Sequence, residues 1–124
     1  MINLKNLLIA NAVVFGISGL ISILAPSIIL SMWGIASDQG TLLTTQYDGV
    51  GSIAIALISW IIREDKNSKT QKAIILAMLI TYIIGVVVSV AGTVSGVMKT
   101  GWPVVVIFLF FATGFAYFRF FKRN

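Results

Sequence analysis

The chain has no cysteine and no histidine, and only 10% of its 124 residues are charged. Without thiols or imidazoles it lacks the side chains for a dithiol redox centre, a zinc site of the usual nitrogen and sulfur ligands, or a bis-histidine haem. No cofactor or metal is expected, no catalytic constellation stands out, and the sequence does not read as an enzyme. So little charge also argues against a soluble domain, which carries about 25% charged residues. The chain is instead 58% hydrophobic, with a mean hydropathy of +1.00. Four spans of roughly 20 residues would occupy about 80 positions and leave only short loops. The expectation is an all-α integral membrane four-helix bundle, a single domain over residues 1–124.

The first span is read over about residues 5–25, because Leu7 to Leu24 is free of charge and longer than the roughly 7–15 apolar residues of a signal peptide. Pro26 then stops or kinks the helix. Residues 26–36 are apolar but too short to cross. They read as an interfacial segment with Trp33 at headgroup depth, or as a kinked continuation of the first span. Ser37 to Gly40 offer turn and N-cap chemistry ahead of a second span over 41–62. A polar loop, Arg63 to Lys72, comes next, with Ser68 and Gln71 in capping-box spacing at the start of a third span over about 70–92, whose helix is open to continuing as far as Met98. Gly101 and Pro103 mark the start of a fourth, over 102–119.

Charge sets the expected topology. Eight of the nine basic residues fall at the amino terminus, in the loop between the second and third spans, or in the tail; only Lys99 lies on the other side. The positive-inside rule then puts both termini in the cytoplasm of a multi-pass protein of the cell membrane, the inner membrane in a bacterium. The net charge of +5 is accounted for by topology and by attraction to anionic lipid, and nucleic acid is not an expected partner.

Within the spans Asp48 is the only acid. An ionised carboxylate facing lipid is unfavourable by about 2.5–3.5 kcal/mol even on lenient scales, so Asp48 should face the bundle, find a partner or remain neutral. Lys99 could snorkel towards it. Tyr82 falls mid-membrane and needs a hydroxyl partner, for which Asn11 or a backbone carbonyl is available. These four form a candidate intramembrane polar site. Small residues recur on the third span at Gly85, Ser89, Gly92 and Gly96, the last two in GxxxG spacing, and read as a helix-packing interface. The fourth span carries phenylalanine on several sides, as on a helix facing lipid or a partner.

The order of features resembles small prokaryotic four-helix membrane proteins of DoxX-like or Erg28-like shape. It rests on Gly19 before Pro26, Trp33-Gly34 before a loop, Gly49-x-Gly51 opening the second span, Trp60 to Arg63 closing it, and Gly101-Trp102 before the fourth. The resemblance implies the architecture and no particular chemistry. Two functional readings arise from the residues. One is an interaction or scaffold protein, or an accessory subunit of a membrane complex, whose partners are the lipid bilayer and a second copy or another membrane subunit. The other is a small homo-oligomeric transporter or channel using Asp48 as an ion- or proton-coupling site. Against it, small multidrug exporters carry their membrane carboxylate in the first helix, where this chain has no acid. The glycine-rich, arginine-bearing motifs of fluoride channels are also missing.

Overall fold

The computed structural model describes residues 3–66 and 68–121, and every regular element among them is helical. The elements are α1 (Leu4–Leu24), α2 (Pro26–Trp33), α3 (Gln39–Ile62), α4 (Lys69–Val94) and α5 (Trp102–Ala116), which continues into a π-helical turn at Tyr117–Phe121. Four helices are long and apolar enough to cross a membrane, the fourth formed by α5 with its π-helical turn. The chain is thus a multi-pass membrane protein.

The breaks have local causes. At Ala25 the backbone leaves the helical region (φ −145°), and Pro26 starts α2 where its missing N–H is not needed. Residues 26–33 are therefore a separate helix and not a continuation of α1. It ends on Gly34 in the left-handed region (φ 67°), whose N–H donates to the carbonyl of Ser31. A capping box between Asp38 and Thr41 starts α3 at Gln39, two residues earlier than the sequence suggests. Hydrogen bonds from the Thr41 amide, the Thr41 hydroxyl and the Gly40 amide hold the Asp38 carboxyl below the usual range, the Thr41 amide contributing most. Ser68 accepts from the Gln71 amide to start α4. Gln71 also sends its side-chain amide across the loop to the Ile62 carbonyl at the end of α3, 2.9 Å away.

Two antiparallel pairs build the bundle, α1 with α3 and α4 with α5. The first pair crosses at a glycine on each side. A Cβ on Gly49 would lie 2.8 Å from the Gly19 carbonyl oxygen, and one on Gly19 would lie 2.9 Å from that of Gly49. Only the hydrogen side chain permits this approach. Lower down, Gly16 faces Ala56. In the second pair the Phe108 ring lies on Gly85.

The core that joins the pairs lies at one end. It draws on the first half of α1 (Leu4 to Phe15), the end of α3 (Ala56, Ile62), the first half of α4 (Ile75 to Tyr82) and the end of α5 (Phe111 to Phe118). All of these lie towards the end bearing the basic loop and Arg119. At the opposite end α2 ties the pairs together. Thr100 donates its backbone N–H to the Trp33 carbonyl (3.1 Å) and its hydroxyl to the Met32 carbonyl (2.6 Å). Around these ties the parts of α3 and α4 nearest α2 stay exposed, as at Leu43, Val50, Val87 and Val88.

Candidate functional site

The interior polar site links three helices. The Tyr82 hydroxyl on α4 donates to the Asn11 side-chain carbonyl on α1 (2.6 Å), and the Asn11 amide donates to the Ser59 hydroxyl on α3 (2.6 Å). Ser59 in turn lies 2.8 Å from the Ile55 carbonyl and 3.8 Å from the Met78 sulfur, so its single proton has an acceptor either way. All three residues are fully buried. Of the two partners the sequence offered Tyr82, the structure selects the Asn11 side chain over a backbone carbonyl. Ser59 completes the chain of bonds. The sequence does not single it out, because nothing local says which hydroxyl will meet an amide on another helix.

Aromatic rings enclose this network. Phe15 stacks on Tyr82 at 5.4 Å between ring centroids, and Phe108, Phe111 and Phe115 lie at 5.8, 6.0 and 5.9 Å from it. Most phenylalanines of α5 thus turn inward, although the crowding of that helix suggested a lipid or partner face. The side chains that remain outward include Phe110 and Phe120. The arrangement is a buried, mutually hydrogen-bonded cluster. It holds no titrating pair, and it fixes the rotation of three helices at once.

Asp48 and Lys99 stand apart from this site and from each other. Asp48 is exposed on α3 and does not face the bundle. The reason is the helix rotation set by the glycine crossing. Gly49 takes the position against Gly19, Ser22 and Ile23, and its predecessor is carried about 100° round the helix. Asp48 has no ion pair or side-chain hydrogen bond to any described residue. Lys99 is exposed in the turn between α4 and α5, its Cβ against Gly34 and its backbone N–H 3.5 Å from the Gly34 carbonyl. No ion pair joins it to Asp48 among the described residues.

The glycine groove on the third span is filled from within the chain. Gly85 lies under Phe108, Ser89 is buried, and Gly92 faces the Met98 sulfur. Gly96 is not part of the helix. α4 ends at Val94, and Gly96 comes just after its C-cap in the left-handed region (φ 85°), where a Cβ would meet nothing within 4 Å. The Gly92-Gly96 spacing therefore marks a helix stop: the Gly96 N–H donates to Thr93 and the Met98 N–H to Gly92.

Several polar contacts had no signal in the sequence. The Gln46 amide donates to the Ile23 carbonyl (3.0 Å), serving an acceptor freed by the break at Pro26. Lys5 pairs with Glu64 at 2.7 Å, lowering the Glu64 carboxyl below its usual range. The Arg63 guanidinium lies 3.7 Å over the Trp60 ring and also donates to the Trp60 carbonyl. Among the described residues, the one fully buried side-chain nitrogen or oxygen without a partner is the Arg119 Nε, in the π-helical turn. No group of three metal-ligating side chains forms among the described residues. Compared with the known protein families, the curated proteins and the solved structures, the chain matches none.

Proposed function

We propose that this chain works by contact, as an interaction or scaffold protein or an accessory subunit of a larger assembly in the cell membrane, with both termini in the cytoplasm. The single observation that carries the reading is the internal site. Asn11, Ser59 and Tyr82 satisfy one another in full burial beneath a layer of aromatic rings. A pathway through a bundle needs polar groups that can exchange partners with water or an ion. Here the polar groups are committed to each other, and the one acid in a span lies outside the bundle. The orientation rests on the basic residues: the core-bearing end carries Lys5, Arg63, Lys66 and Arg119, and the end tied by α2 carries Lys99. The likeness to DoxX-like or Erg28-like shapes bears on architecture alone.

The transporter reading is tested in proteoliposomes loaded with a pH-sensitive dye. The expected result is a proton and cation leak equal to that of protein-free vesicles, unchanged in Asp48→Asn. A flux above that background which Asp48→Asn abolishes would replace the contact reading with a transporter.

A further inference from the structure

We propose that the outer half of α3 is a docking face for a transmembrane helix of another protein, one that carries a lysine or arginine at the depth of Asp48. The proposal rests on the contact reading above and names the chemistry of the partner.

The depth of Asp48 is set by length. Fourteen residues separate it from Ile62 at the inner end of α3, which is roughly 21 Å of helix. The hydrocarbon core is about 30 Å thick. With Ile62 at the inner boundary, Asp48 lies roughly 9 Å inside the outer one. An acid at that depth normally faces a bundle or a water-filled cavity and pairs with a base or a polar group. Asp48 does neither within this chain: it is exposed and unpartnered among the described residues.

The surface around it suits a helix. On the same exposed side, Thr44 lies about one turn above and Gly51 about one turn below. A Cβ on Gly51 would meet nothing within 4 Å, so its backbone is bare. Small residues of this kind let a second helix approach closely enough for a hydrogen-bonded ion pair to form. α1 and α2 cover the other flank of α3.

Charge complementarity selects the occupant. The base this chain offers on the outer side is Lys99, which the tie between its turn and α2 holds at the outer end of the bundle. A second copy docked face to face about a two-fold axis would oppose one Asp48 with another. A foreign helix with a base at this depth neutralises the carboxylate and buries the bare backbone together.

The test uses the full-length protein in phosphatidylcholine vesicles and a synthetic leucine-alanine transmembrane peptide. One lysine is placed about six residues below its outer end, matching roughly 9 Å. Energy transfer is read from a dye on a cysteine placed at Lys66. The expected result is association about tenfold stronger than for the same peptide with leucine at that position. Asp48→Asn should remove the difference, Asp48→Glu should keep it, and Gly51→Leu should weaken it while the protein stays folded. Equal association of the two peptides would overturn the proposal. So would self-association of the peptide-free protein that Asp48→Asn disperses, which would make a second copy the occupant. The size of the protein extracted from its own membranes separates the two readings. An assembly that persists in Asp48→Asn leaves the contact reading standing while overturning this partner chemistry. A free monomer in parent and variant alike ends both.

Discussion

Gly49→Leu is expected to be the most damaging single substitution in the spans. The Cβ it adds would lie 2.8 Å from the Gly19 carbonyl oxygen, with the Ser22 Cβ at 2.9 Å. Neither can swing aside, because one is backbone and the other is fixed to it. The helices must separate, and the network below must shift with them, since Asn11 and Ser59 belong to the same pair. Overpacking in a tight core costs about 1–3 kcal/mol, and a backbone obstacle puts this case at about 3 kcal/mol or more. Gly51→Leu is the control, two residues along the same helix. It adds the same atoms where nothing lies within 4 Å, and should change stability by no more than about 0.5 kcal/mol. Unfolding in mild detergent, followed through the three tryptophans, compares the two. Equal effects would show that α1 and α3 do not cross at these glycines.

The second large effect is expected at Asn11, which serves both neighbours. Asn11→Ala removes the acceptor of the Tyr82 hydroxyl and the donor to Ser59. Leaving a buried polar group unsatisfied costs about 1–3 kcal/mol, and a loss of about 2 kcal/mol is expected here. Tyr82→Phe removes the hydroxyl and keeps the ring that stacks on Phe15, so about 1 kcal/mol is expected. The double variant should lose less than the sum of the two. The shortfall measures the coupling, which for hydrogen bonds between membrane helices averages about 0.6 kcal/mol and reaches about 1.7. Strict additivity would mean that the 2.6 Å bond between α1 and α4 contributes nothing.

The helix breaks were legible in the sequence because their causes are local. Pro26 removes a donor, Asp38 and Ser68 cap the helices that begin beside them, and Pro103 begins a helix at a position that suits it. The Tyr82 to Asn11 pairing was legible only in part: a hydroxyl deep in lipid needs an acceptor, but a backbone carbonyl serves as well as Asn11, and the helix rotations that bring the two side chains together are not local. Asp48 was misplaced because the acid and Gly49 are neighbours on α3. Each offers a plausible inward face about 100° apart, and the choice is made by Gly19 on a different helix. The Gly92-Gly96 spacing misled for a comparable reason. It signifies packing only inside a helix, and whether α4 continued past Val94 depended on the turn that Gly96 itself creates. The inward turn of the α5 aromatics was hidden by their number, since phenylalanine all round a helix has no periodicity to read.

The outward position of Asp48 gives this organisation its functional direction. A core closed by its own polar network leaves the bundle with little to do inside and places its most costly side chain at the surface. Lipid alone is a poor partner for that side chain, which supports the proposal that the molecule works as one part of a larger membrane assembly. The most direct measurement is the mass of the protein extracted from its own membranes into lipid nanodiscs, set against the 13.4 kDa of one chain. Contact as the mode of action predicts a discrete assembly of fixed stoichiometry that contains at least one other membrane chain. A population of single 13.4 kDa chains under those conditions would contradict it.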